Sequence, residues 1–271
     1  AFHHDMCRLP NGNTLVIAWE QMPPHLAERV QGFIGKDAAA ALTEDEDHFR
    51  FLMKGLGVGG RPRDLSGFLG DAILEIDPQG NTVHTWHAWE HLDPETDIVC
   101  CREFRHEWSH ANSVQAGPNG DVLLSFRELS TVMRISWPEG KVLWKWNGGK
   151  ISHQHDASFT PQGNMLVFDN GAHHPIVPRS RVIEVDMKTS KIVWQYYPKH
   201  VFSLFSGHIA GAERSGTATR SFAKARAAVC SRSPLRGMSA GNGSAHSFSL
   251  SRGCFAPCSS VPTATAWKGL N

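Results

Sequence analysis

A β-propeller, hence an all-β fold, is predicted by three observations: a strand-turn-strand unit recurs along the chain, Asn-Gly or Gln-Gly stands at its hairpin turns, and copies are spaced at the length of one blade. The units are HHDMCRLPNGNTLVIAWE from His3 to Glu20, SHANSVQAGPNGDVLLSFRELSTVMRISWPEGKVLWKW from Ser109 to Trp146, and HQHDASFTPQGNMLVFDNG with SRVIEVDMKTSKIVWQY between His153 and Tyr197. A further stretch, GDAILEIDPQGNTVHTW from Gly70 to Trp86, matches the second half of a unit.

Each unit reads as two hairpins. The Asn-Gly and Gln-Gly pairs supply the positive-φ residues of tight turns, and Val, Ile and Leu alternate with polar residues on the flanks, giving four short antiparallel strands. Gly120 and Gly163 are 43 residues apart, within the roughly 40 to 50 residues of a four-stranded blade. A sandwich of two sheets has no reason to repeat sequence at that period. Trp86, Trp144 and Trp194 close successive units and are expected in the core between blades.

Residues 21–69 break the rhythm with KDAAAALTEDEDHFRFLMKG and GLGVGGRPRD. They are expected to be an insertion between strands, partly helical, covering one end of the propeller. After Arg214 the alternation ends and the chain becomes rich in Ser, Ala and Arg, a composition expected to be disordered. Codons can be chosen for residues 217–245 so that reading one nucleotide earlier gives NGNTLICEGARGRVFEVTPAGDVRWEWE, another blade. Residues 1–214 are therefore expected to form an incomplete propeller and 215–271 an out-of-frame tail. Such a chain would expose strand edges and apolar faces and dissolve poorly. The opening Ala-Phe-His-His, with no Met or apolar leader, reads as a fragment without its start.

Composition narrows the function. The 271 residues are 41% hydrophobic and 20% charged, with a formal net charge of +1; this is ordinary globular material with no electrostatic reason to bind nucleic acid or an anionic membrane. No apolar run is long enough to span a bilayer. The six cysteines form no paired CxxC motif, and Cys230, Cys254 and Cys258 lie in the tail, so neither a zinc module nor a redox compartment follows from them.

The sixteen histidines are informative by position. His4 in HHD, His110 in SHAN and His155 in HQHD are read as equivalent starts of innermost strands, which in a propeller converge on the axis. Arg127 in LLSFRE follows a turn and can reach the same funnel. Three imidazoles and a guanidinium suit a tetrahedral anion, since Arg offers a fixed fork of donors and His either a donor or a nucleophilic nitrogen. A repeated His can also simply cap a hairpin. Zinc is a second alternative, against which stand the lack of a clearly placed carboxylate or fourth ligand and the repulsion of a cation by Arg127. His173, His174, His84, His87 and His91 are expected in loops or on the surface.

The strings EWSHANSVQAGPNGDVLLSFRELS, SHQHDASFTPQGNMLVFDNGAH and SRVIEVDMKTSKIVWQY resemble the arylsulfate sulfotransferase family over residues 1–214. The resemblance implies a six-bladed propeller that moves a sulfuryl group from one phenol to another by a ping-pong route, without a cofactor or nucleotide sulfate donor. It implies His155 as the nucleophile that becomes a sulfohistidine, with His4, His110 and Arg127 binding the sulfuryl oxygens. Phenols and aryl sulfate esters would be the partners, a homodimer is compatible with it, and the compartment would be the periplasm or exterior. Glu128 stands where many members carry a second His, which puts acceptor choice in question. The alternatives are a non-catalytic propeller serving as a binding module, and an inactive truncated member.

Overall fold

In the computed structural model the described residues are 1–31, 68–100, 103, 107–147, 149–173 and 177–214, together with backbone strands at 220–224 and 227–233. The first sheet contains β1 (Phe2–Arg8), β2 (Thr14–Gln21), β3 (Leu69–Ile76) and β4 (Thr82–His87) in that order, with β5 (Glu107–Trp108) added parallel to β3. The second runs β6 (Ala111–Ala116), β7 (Asp121–Phe126), β8 (Thr131–Ser136), β9 (Val142–Trp146), and the third β10 (His155–Phe159), β11 (Met165–Asp169), β12 (Arg181–Asp186), β13 (Lys191–Tyr196). A last sheet joins β14 (Ala210–Arg214), β15 (Arg220–Lys224) and β16 (Ala227–Ser233).

All neighbours within the two complete four-stranded sheets are antiparallel and consecutive, and the inner strands β1, β6, β10 and β14 pack in succession. This is a β-propeller. The turn glycines Gly12, Gly80, Gly120 and Gly163 all have positive φ, as the Asn-Gly and Gln-Gly signals require.

The apolar cores lie between consecutive sheets. Val122 and Leu124 of β7 face the first sheet, meeting Leu15, Ile17 and Ile73, whereas Leu123 faces the third, meeting Met165 and Val167. Leu166 turns the other way, toward Ala212 of β14. Both faces of a middle sheet are thus covered, which explains the near-continuous apolar runs DVLLSF and MLVFD, buried throughout. The strand-ending Trp residues bridge blades: Trp86 Nε1 donates to the Gly140 carbonyl at 3.2 Å and Trp144 Nε1 to Ser190 Oγ at 3.0 Å.

Gln21 pairs with Leu69 at the end of the β2–β3 ladder, so the chain departs and returns between paired partners. Of the insertion expected over 21–69 and partly helical, a short helix at Pro24–Ala27 is described, while the Ala-rich and Gly-rich stretches lie within 32–67, outside the described residues. So does most of the tail beyond 214. Among the described residues no helix is long and apolar enough to cross a membrane.

Candidate active site

Hydrogen bonds between successive inner strands establish which positions are equivalent. Asp5 Oδ2 accepts from Val114 N at 3.0 Å, Ser113 Oγ from Ala157 N at 3.0 Å, and Asp156 Oδ2 from Ala212 N at 2.8 Å. Asp5, Ser113 and Asp156 therefore share one station, and His4, Asn112 and His155 the one before it. His110 lies two residues earlier, at the station of His153. Aligning His with His misplaced it, because register is set by distance from the turn glycines and not by residue type. His208, four residues before Ala212, occupies that same earlier station in the next unit.

His4, His110 and His153 all have left-handed backbones, with φ of 55°, 59° and 54°. That conformation costs a non-glycine residue roughly 1–2 kcal/mol, and strain of this kind concentrates where geometry serves a site. The inner strands β1, β6 and β10 also carry a register irregularity beside their histidines, which redirects the side chain.

These turns bring the four expected residues into one place. The His4 and His110 rings are 4.7 Å apart, edge to face. His155 acts electrostatically on His4, and Arg127 and His110 act on His155.

His155 is buried, and its Nδ1 lies 2.9 Å from Asn170 Oδ1 and 3.0 Å from the His153 carbonyl. Both partners can only accept, so Nδ1 carries the proton and Nε2 keeps its lone pair. Burial, with the charge of Arg127 and His110, lowers the pKa to about 4 against the opposing pull of Asn170 and the His153 carbonyl. At neutral pH the ring is uncharged and nucleophilic.

A second relay begins at Asp71 on β3, which is wholly buried. Its Oδ2 accepts from Ser109 N (3.0 Å), Ser109 Oγ (2.9 Å) and Ala111 N (2.8 Å), so it grips both neighbours of His110. Its Oδ1 is 3.3 Å from His3 Nε2, and His3 Nδ1 is 2.7 Å from His4 Nδ1. A carboxylate acceptor places the His3 proton on Nε2, so His3 Nδ1 accepts from His4 Nδ1–H and leaves His4 Nε2 as a free acceptor. The His3 ring is stacked on Trp19 at 4.0 Å. Burial raises the pKa of Asp71, yet His3 and the Ala111 and Ser109 amides outweigh it and hold the carboxyl below its ordinary value. Desolvation, then His110, His3 and His155, lowers His4; the residue remains exposed, so water screens part of this effect.

Carboxylates, of which the sequence reading singled out Glu128 alone, surround the remaining members. His110 Nδ1 lies 3.0 Å from Glu107 and 3.4 Å from Glu128. Burial pushes the Glu128 carboxyl up to about 7, against the pull of His110. Arg127 is not a free cation: its Nη2 donates to Glu103 Oε1 at 2.7 Å. His173, expected in a loop, sits on one at the edge of the site, its ring 4.6 Å from that of His153. His84, His87 and His91 lie on or beside β4, in ring contact with Trp137, Trp89 and Trp86 respectively. Asp71, Glu103, Glu107, His153 and Asn170 were all missed. An acid in the apolar strand GDAILEI and the first His of HQH were the available signals.

Comparison with known proteins adds the following. A family model described as Arylsulfotransferase (ASST) matches residues 53–201, more than half of the chain. No curated protein sequence matches. Among solved structures, similarity is found to a protein of unknown function from Bacteroides caccae (12% identity, TM-score 0.45, covering 82% of this chain and 55% of that one). Virginiamycin B lyase from Staphylococcus aureus is also similar (9%, TM-score 0.35, covering 82% and 61%). So is the β-propeller domain of Cps50 (Swd1) from Myceliophteria thermophila (15%, TM-score 0.29, covering 46% and 38%). The chain thus spans less than two thirds of the length of each of these structures.

Proposed function

Since the chain belongs to the arylsulfotransferase (ASST) family, we propose that the funnel transfers a sulfuryl group between phenols by a ping-pong route through His155. The observation that carries this reading is the buried imidazole whose Nδ1 is committed to Asn170 and the His153 carbonyl, leaving Nε2 to attack. In the first step Nε2 forms a bond to sulfur as the sulfur–oxygen bond to the aryl group breaks, and the phenolate leaves with the electron pair. In the second, an acceptor phenol loses its proton and its oxygen attacks sulfur, returning His155 to its neutral form. Charge spreads over three equatorial oxygens in each transition state, so fixed donors matter more than covalent power.

Arg127 and His110 suit those oxygens. Glu107 and Glu128 face His110 Nδ1 at 3.0 and 3.4 Å and so fix the orientation of its ring. His4 shares the sulfuryl pocket in this reading, and its proton-accepting Nε2 also fits removal of the acceptor's proton. Phenols and aryl sulfate esters are the substrates, a six-bladed ring the intact architecture, and the periplasm or exterior the compartment.

The test is a mixture of 4-nitrophenyl sulfate and phenol, following nitrophenolate release in this chain, in a version with its tail frame restored, and in His155→Ala. Acceptor-dependent release that disappears in the variant, with a ³⁵S label retained on His155 before acceptor is added, supports the route. Folded protein without release would point instead to a binding module.

A further inference from the structure

Beside the funnel lies a cluster that sulfuryl transfer does not employ. Cys100 Sγ is 3.1 Å from His173 Nε2, the His173 ring packs edge to face on His153 at 4.6 Å, and one potential ligand atom from each of the three residues falls within 4.8 Å of the others. We propose that Cys100, His153 and His173 bind a thiophilic divalent cation of the zinc class, with a fourth position open to solvent.

Geometry supports this first. Zinc–sulfur and zinc–nitrogen bonds of about 2.3 and 2.0 Å at tetrahedral angles separate ligand atoms by roughly 3.5 Å, so the cluster needs only small side-chain adjustments. The three ligands are also held from behind by their own backbones. Cys100 N donates to the Glu128 carbonyl at 2.8 Å, His153 N to Ser130 Oγ at 3.3 Å and His173 N to Ser152 Oγ at 3.1 Å.

The state of His153 points the same way. Its side chain is buried, and Nε2 has no hydrogen-bond partner among the described residues, an expensive condition for a polar atom. Nδ1 lies 3.6 Å from Glu103 Oε1. A proton on Nδ1 facing that carboxylate leaves the Nε2 lone pair for a metal, the carboxylate–histidine–metal arrangement that orients such ligands. Arg127 is the cation that would oppose a metal here. Glu103 binds Arg127 and faces His153, so its negative charge offsets the guanidinium, and a Cys100 thiolate adds another. One thiolate with two imidazoles selects zinc, cobalt or copper over magnesium or calcium.

Cobalt(II) gives the readout without any activity assay. Chelator-treated full-length chain titrated with Co²⁺ should take up a single equivalent and develop a thiolate-to-cobalt band in the near ultraviolet with the visible bands of a tetrahedral site, both removed by Zn²⁺. Cys100→Ser, checked for native circular dichroism, should lose the near-ultraviolet band, and His173→Ala should bind at least about tenfold more weakly. Cys101→Ser and His155→Ala should leave the spectrum intact. Absence of the band in wild-type chain, its survival in Cys100→Ser, or its loss in Cys101→Ser would overturn the assignment.

Discussion

Asn170 is fixed at both ends: its Nδ2 donates to the Ser206 carbonyl at 2.9 Å while its Oδ1 accepts the Nδ1–H of His155, also at 2.9 Å. The amide cannot flip without losing one of these bonds, so it sets the tautomer of the proposed nucleophile. Asn170→Ala should lower the sulfuryl-transfer rate by roughly a hundredfold, short of the 10⁴ seen when an orienting carboxylate in a hydrolase triad is replaced. Asn170→Asp, which keeps an acceptor, should recover much of it. Single-turnover formation of the labelled histidine checks this, and equal rates in wild type and Asn170→Ala would remove the orienting role.

Asp71 receives three donors from the segment around His110 and faces His3. Asp71→Ala leaves those buried donors without an acceptor and should destabilise the chain by about 3–5 kcal/mol, the range for breaking a buried charged network. Urea unfolding measures the loss. His3→Phe, which keeps the stack on Trp19 but ends the relay, should cost far less stability and mainly slow the acceptor half-reaction.

Glu128 couples the site to pH through stability. Its folded pKa of about 7 exceeds the ordinary value of 4.5, so the folded state holds a proton that the unfolded chain has released. Its contribution is therefore full below about pH 4.5, falls as pH rises from there to 7, and is gone above that, a change on the order of 3 kcal/mol. Glu128→Gln should flatten the unfolding free energy across this window. An unaltered slope in the variant would assign the pH dependence to another group.

Arg127 is shared with Glu103, so an incoming sulfate ester competes with a carboxylate for the guanidinium. Glu103→Gln should lower KM for 4-nitrophenyl sulfate several-fold. Arg127→Ala should lower kcat/KM by roughly 10²–10³, the effect of deleting one transition-state donor. Steady-state kinetics with saturating phenol distinguishes the two.

At the level of the gene, a one-nucleotide shift near the codon for Ser215 is expected, with the alternative frame encoding NGNTLICEGARGRVFEVTPAGDVRWEWE. Sequencing of the DNA checks it, and a natural homologue carrying the present tail in an uninterrupted frame would exclude it.

The propeller and its turns were legible because they depend on local chemistry: Asn-Gly pairs, alternating apolar residues and Trp at strand ends. The HD dipeptides at His4 and His155 were legible for the same reason. What escaped were relationships across long stretches of chain. Asp71 meets Ser109 and Glu103 meets Arg127 only after the sheets assemble, and no periodicity marks them. His110 was placed two stations late because Ala111 and Asn112 intervene, although counting back from Gly12, Gly120 and Gly163 sets Asn112 level with His4 and His155.

Those neighbouring-strand bonds have a wider consequence. Asp5 to Val114, Ser113 to Ala157 and Asp156 to Ala212 are the same attachment made three times, with a side chain on one blade engaging a main-chain amide on the next. The amide is common to almost every residue, so a duplicated blade would find its socket ready whatever side chains it brought. Lineages built this way can copy units whole, then diversify the inward-facing histidines one at a time while the joints between units stay interchangeable.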